Sequence, residues 1–469
     1  MIFIPEAVIL SGFLILLAAE IVVPEAAKRF GAFFSLLSAI LIFFTVLPFF
    51  GTEQSGFGGM LILDPLACFF KALFAGSGAV VIAMSGEFLM GRGRVSEFFL
   101  LLWVLLLALF ILVSANDFLV LFVALEMVTL SFYVLAAYLK HDLISIEAGL
   151  KYLILGSLAS AFLIYGISLI YLSAGSTAFG DVRLAFQAAP EGRTMLLGLL
   201  LVLAGLGFKV AAVPFQLWVP DVYQGAPTPA VAFLAVGSKA AGFALLLRLL
   251  FTVFLPFDAS RAILFSTLAA MTLVFGNLGA ILQTDVKRLL GYSSIGHAGY
   301  LLIGIAAGRE GGISAILYYL AAYAVMTLTA FYVVTLVGRD SKTNDLRIYS
   351  GLAKRSPFLA GVFFVALLSL AGVPPTAGFF GKFLILWSAV RSGQAWLALI
   401  GALGVAVSLF YYLGVVRAMY IEGPVDETPV SVTPLSKAIL LVLVAAIFVL
   451  GIWQAPLLRI TEFTARSLS

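Results

Sequence analysis

Apolar residues along this chain come in long blocks separated by short polar connections. A membrane-crossing helix needs about 20 mostly apolar residues. By that ruler fourteen spans are predicted, at 5–23, 31–49, 63–85, 97–115, 118–138, 147–174, 195–220, 228–251, 261–283, 289–307, 312–337, 358–391, 395–420 and 435–455. The longest polar connections, 175–193 and 338–356, leave no room for a soluble domain. The expected fold is an all-α polytopic membrane protein.

Two blocks do not read as straight crossings. In the seventh, "GLGFKVAAVPFQLWVP" (205–220) carries Lys209 at its middle, and Pro214 and Pro220 are expected to interrupt the helix. The twelfth is an apolar run of about 35 residues, too long for one crossing of roughly 30 Å. Within its "SLAGVPPTAGFFGKFLILW" (369–387), Pro374, Pro375 and Gly378 are expected to break it. A break frees backbone groups, which hydrocarbon tolerates only where protein or water satisfies them. Breaks at matching places in two halves predict an inverted repeat with an ion path near the midplane. The seventh helix is fourth among helices four to eight, and the twelfth is fourth among nine to thirteen. An odd number of helices per unit inverts the second relative to the first. The expected division is three N-terminal helices (1–94), a first five-helix unit (95–251), a second, inverted unit (252–421) and a C-terminal helix (422–469).

Composition agrees. The chain is 63% hydrophobic and 11% charged, with a mean hydropathy of +1.16; soluble proteins carry about 25% charged residues. A net charge of +4 on 469 residues leaves no footprint for nucleic acid. One cysteine, Cys68, excludes a disulfide framework and an iron–sulfur or cysteine-based zinc site of the chain's own. Two histidines, His141 and His297, argue against a haem pair, and no GxGxxG follows a strand-like run. No cofactor or metal is therefore expected in this chain. The opening "MIFIPEAVILSGFLILLAAE" lacks a basic leader region and reads as a retained first helix. Lys28, Arg29, Arg92, Arg94, Lys140, Lys287, Arg288, Arg339, Lys342, Arg347, Lys354 and Arg355 fall in odd-numbered loops, which should face the cytoplasm. Both termini then lie outside it.

The charges inside the spans carry the chemistry. Glu126 sits near the centre of the fifth, Lys209 of the seventh and Lys239 within the eighth; Lys382 follows the break in the twelfth. Lys151 lies nearer one end of the sixth, and His297 at mid-depth in the tenth. Four central charges would cost on the order of 10–14 kcal/mol in hydrocarbon, so they are expected to face the bundle interior. A desolvated amine gives up its proton, and a nearby carboxylate returns it; arginine stays protonated. Moving Glu126 relative to a lysine would switch that lysine between holding and releasing a proton, and a break at Pro214 would admit water. The plainer readings are a structural Lys–Glu staple, snorkelling of Lys151 to the interface and simple packing of His297. Lys71, Asp64 and Arg248 read as structural, Arg417 as interfacial, and Tyr133, Tyr319 and Tyr323 as polar packing.

Four stretches together carry a family resemblance: "LEMVTLSFYVLAAY" (125–138), "WVPDVYQGAPTPAVAFLAVGSKAAGFALL" (218–246), "GYSSIGHAGYLLIG" (291–304) and "AGVPPTAGFFGKF" (371–383). The chain resembles the antiporter-like membrane subunits of respiratory complex I over essentially its whole length. The resemblance implies fourteen helices with two inverted five-helix units, in a complex that oxidises NADH, reduces a quinone and pumps protons. It implies FMN, iron–sulfur clusters and quinone in other subunits, membrane and peripheral partners, and a bacterial inner-membrane location. The family's proton residues match Glu126, Lys209, Lys239, Lys382 and Lys151. The chain departs from its relatives at Gln216, where many carry a titratable histidine. Rival expectations are a subunit of a cation/proton antiporter or membrane-bound hydrogenase complex, a stand-alone secondary transporter, and a passive scaffold.

Overall fold

In a computed structural model of the chain, residues 3–89, 95–190, 192–309, 311–339, 341 and 343–468 are described. Arg92, Arg94 and Lys342, used above for orientation, lie outside them, as do the side chains of Lys28 and Arg29. Helices dominate, in the order α1 (Ile4–Val22), α2 (Pro24–Val46), α3 (Pro65–Phe88), α4 (Val95–Ser114), α5 (Phe118–Ala136), α6 (Leu143–Ala174), α7 (Phe179–Ala188), α8 (Arg193–Val210), α9 (Trp218–Gly225) and α10 (Thr228–Phe233). They continue with α11 (Lys239–Arg248), α12 (Asp258–Ile281), α13 (Val286–Ala307), α14 (Gly312–Gly338), α15 (Leu352–Arg355), α16 (Pro357–Ala371), α17 (Ala377–Arg391), α18 (Ala395–Tyr420), α19 (Pro434–Ile452) and α20 (Ala455–Arg466). Thirteen described segments are long and apolar enough to cross a membrane, in the order of the predicted spans. The predicted twelfth span is the one divided into two shorter helices, α16 and α17.

Both expected breaks are present, with a change of detail. The helix carrying Lys209 ends at Val210, Ala211 takes a positive φ of 62°, and helix resumes at Trp218. Pro220 does not interrupt anything: it is the third residue of α9, in a first turn whose N–H groups have no intrahelical partner in any case. In the twelfth span the chain leaves the helix at Gly372, a left-handed C-terminal glycine with φ +90°, and Pro374 and Pro375 follow. Gly378 lies inside α17 and is a close-contact residue, not a breaker. A Cβ there would fall 1.7 Å from the Ser369 carbonyl oxygen.

The sequence reading missed the smaller elements. Gln54–Gly56 (β1) pairs antiparallel with Leu61–Leu63 (β2) as a short hairpin. The 175–193 connection holds α7, and α20 follows the last span. π-helical turns occupy Leu234–Ser238 and Leu249–Val253, on either side of α11.

The chain forms two compact units, residues 1–210, 237–260 and 463–469 in one, and 211–236 and 261–462 in the other. In the first unit, α6 and α8 approach through glycines. A Cβ on Gly198 would lie 2.8 Å from the Gly166 carbonyl oxygen, and one on Gly205 would lie 3.0 Å from that of Ala159. Small residues permit such backbone contact where lipid offers no hydrophobic drive. Gly205 is one turn before Lys209, so this close packing fixes the helix that presents the lysine. In the second unit, α9 is pinned to α13. Arg288 donates to Asp221 at 2.6 Å and Lys287 to the Ala226 carbonyl at 2.6 Å, while the hydroxyls of Tyr223 and Ser294 bond at 3.0 Å.

Candidate functional site

In the first unit, Lys209 lies in the last turn of α8, just before the break, and is 3% exposed. Its Nζ donates to Thr129 Oγ1 at 2.5 Å. Thr129 is fully buried on α5, three residues after Glu126, hence on the same helix face. Glu126 is half-buried and accepts from Ser160 Oγ of α6 at 2.6 Å. Each charge is thus held by a hydroxyl, which satisfies the need of a buried charge for polar partners without a direct ion pair. Lys239 opens α11, directly after the π-helical turn, and is equally buried. Tyr152 is fully buried on α6, its ring stacked 6.0 Å from that of Phe208, the residue before Lys209.

Lys151 is far more exposed than Lys209 and Lys239. Its Nζ pairs with Glu147 one turn earlier at 2.8 Å, and the two side chains are 43% and 63% exposed. The charges read as structural at sequence level form tight pairs: Lys71 meets Glu6 at 2.5 Å, and Arg248 binds Asp64. Glu6 drew no attention in the sequence, because a lone acidic residue in the first turn of an N-terminal helix carries no spacing signal.

In the second unit, Lys382 Nζ donates to the Leu370 and Ala371 carbonyls, both at 2.9 Å. These are among the last carbonyls of α16, which the break leaves without intrahelical donors. They also mark the negative end of that helix's dipole, which favours a cation. The Tyr300 ring adds a cation–π contact 4.8 Å from Nζ. The break in the twelfth span therefore builds the seat for its own lysine. His297 is buried on α13 with Nδ1 2.6 Å from Tyr319 Oη, and its ring lies against Tyr300 and Tyr323. Tyr323 donates to Ser294 Oγ at 3.0 Å. Of the tyrosines read as packing, Tyr319 and Tyr323 thus belong to a polar cluster with His297, while Tyr133 lies on α5 with its ring against Tyr152 of α6.

Thr129 and Ser160 were missed as site residues. The signal available was their position alone: a hydroxyl at i+3 from Glu126 in "LEMVTLSFY", and one mid-span in the neighbouring helix. Gln216 is 3% exposed. Among the described residues no cluster of three or more His, Cys, Asp or Glu side chains could hold a metal ion.

Comparison with known proteins gives a consistent result. The family model described as NADH:quinone oxidoreductase/Mrp antiporter, transmembrane, matches residues 115–408. NADH-quinone oxidoreductase subunit N of Desulforamulus reducens is 38% identical over 95% of this chain and 94% of its own length. The protein of the same name from Moorella thermoacetica is 40% identical over 94% of this chain and 93% of its own. A chain of respiratory complex I from Thermus thermophilus, solved with bound aureothin, superposes with a TM-score of 0.84 at 34% identity, covering 97% of this chain and 99% of that one.

Proposed function

The chain belongs to the NADH:quinone oxidoreductase/Mrp antiporter membrane family, and from that premise we propose that it is the proton-translocating subunit N of an NADH–quinone oxidoreductase. NADH oxidation and quinone reduction take place in partner subunits, which carry FMN, the iron–sulfur clusters and the quinone site. This chain moves the protons. Lys209, Lys239 and Lys382 are the carriers, Glu126 is the switch beside Lys209, and His297 and Lys151 belong to the relay. Uptake is from the cytoplasmic side, which the odd-numbered loops face in a bacterial inner membrane, and both termini lie on the opposite side. Residues 95–251 and 252–421 act as two inverted five-helix units, flanked by 1–94 and 422–469.

One observation carries the proposal. Lys209 is buried at the end of an interrupted helix and bonded three residues from Glu126 on α5. An amine in such a place is costly, and it is seated to change partner. The test uses the assembled complex in sealed vesicles, with NADH-driven proton pumping as the readout. Lys209→Ala and Glu126→Ala assemble with the flavin and iron–sulfur subunits but lose coupled pumping. Normal pumping by assembled Glu126→Ala would remove the switch. The family model also names Mrp antiporters; pumping that depended on Na⁺ would favour that branch.

A further inference from the structure

Thr129 Oγ1 makes two bonds of opposite sense. It donates to the Leu125 carbonyl one turn back on α5, at 2.7 Å, and accepts from Lys209 Nζ at 2.5 Å. Its single proton is committed to its own helix, so towards α8 the oxygen can only accept. A protonated amine is the donor it fits. On the far side of Glu126, Ser160 Oγ donates to the carboxylate at 2.6 Å. Two neutral hydroxyls therefore bond a cation at the end of α8 and an anion on α5, with Thr129 three residues from Glu126 on one face of α5.

We propose that Thr129 is a positioning residue for proton transfer: it is the resting acceptor for protonated Lys209, and holds the amine in reach of Glu126 but apart from it until Glu126 is displaced. The proposal rests on the proton-carrier role of Lys209 given above. Lys209 ends a four-carbon stem with rotatable bonds, and α8 stops one residue later. Turning that stem lets Nζ exchange the Thr129 oxygen for a carboxylate oxygen. In the open arrangement Lys209 and Glu126 can each meet other proton donors and acceptors; in the closed one they satisfy each other. Losing a hydrogen bond to a charged group shifts such a balance by roughly ten- to a hundredfold. Without the Thr129 oxygen the pair collapses to its closed arrangement.

Thr129→Val and Thr129→Ser separate the hydroxyl from the methyl group. Both are compared with the parent in the assembled complex, reconstituted in sealed vesicles and driven by NADH. Thr129→Val keeps the shape and loses the acceptor; its pumping should fall at least about fivefold, with the flavin and iron–sulfur subunits still co-purifying. Thr129→Ser keeps the acceptor and should retain more than about half the parental rate. Parental pumping by Thr129→Val would overturn the proposal, as would a reversed order in which Val works and Ser fails. Thr129→Ala stands in if Val perturbs assembly, and failure of both to assemble would make the hydroxyl a folding contact and overturn its positioning role. Loss of pumping in Lys209→Ala with full pumping in Thr129→Val would sink this inference alone. Full pumping in Lys209→Ala would sink the carrier role and this inference with it.

Discussion

Arg248 donates to both carboxylate oxygens of Asp64, at 2.8 and 3.0 Å, with each side chain less than a tenth exposed. Asp64 also caps α3 by accepting from the Ala67 amide at 2.8 Å, and Arg248 reaches the Val113 carbonyl of α4 at 3.1 Å. One ion pair thereby ties α3 and α4 to the C-terminal turn of α11. Removing one partner strands a buried charge, which costs about 3–5 kcal/mol. Arg248→Ala should lower the yield and thermal midpoint of the assembled complex, and Asp64→Leu combined with Arg248→Met should restore part of the loss.

Lys382 offers a way to distinguish a carrier from a staple. Its ammonium satisfies the two carbonyls at the end of α16. Lys382→Arg keeps a permanent cation able to donate to them, but arginine does not release its proton. That variant should assemble normally and lose pumping. Lys382→Met, which leaves both carbonyls without a donor, should also lose stability, by about 1–3 kcal/mol. Parental pumping by Lys382→Arg would reduce Lys382 to a structural role.

The α6–α8 contact should be intolerant of bulk. Beyond the 2.8 Å approach to Gly166, a Cβ on Gly198 would meet Ile170 Cγ1 at 2.9 Å, and neither backbone can yield without parting the helices. Gly198→Val should therefore displace α8 and with it Lys209. A fall in both thermal midpoint and pumping would show that the amine is placed by backbone packing and not by its own side-chain contacts alone. Gly361 has open space around it inside α16, so Gly361→Ala serves as the control, with no loss in either quantity.

Asp345 gives a pH test outside the membrane. The Arg347 side chain, and next its backbone N–H, hold the Asp345 carboxyl below the usual carboxylate range. A folded-state value below the unfolded one means the contribution is present above the ordinary carboxylate pKa and fades as pH falls through the folded value. The short helical turn Leu346–Tyr349 that Asp345 caps should lose amide-exchange protection on acidification. Asp345→Asn should flatten that dependence. The Arg347 side chain is 81% exposed, so the pair is solvent-screened and global stability should hardly change.

How much of this was legible beforehand follows from what hydropathy can encode. The spans and both interruptions were readable because lipid demands long apolar runs and proline, with glycine, signals their failure. Which residue makes the break was less readable. Pro220 and Gly378 look like breakers by type, but one lies in a first turn and the other at a backbone contact. Glu126, Lys209, Lys239 and Lys382 stood out because charge is rare in such segments. Their partners did not, since hydroxyls such as Thr129 and Ser160 are common in membrane helices and carry no pattern. Lys151 looked like the other lysines in sequence, yet its side chain is 43% exposed beside Glu147. Burial of a single position depends on helix rotation, which a uniformly apolar span leaves undefined.

The turn at Leu234–Ser238 bonds i to i+5, and so accommodates one residue more than a regular helix would use. Lys239 begins the next helix and Arg248 closes it. That turn can give up its extra residue by closing to regular helix, but α11 has no such slack: deleting one residue between Lys239 and Arg248 would turn the two about 100° relative to each other. Lys239 could not then keep its buried seat while Arg248 kept its grip on Asp64. Chain length within α11 is thus as strictly set as any side chain: a one-codon deletion there, removing no charge, would still unseat one of the two.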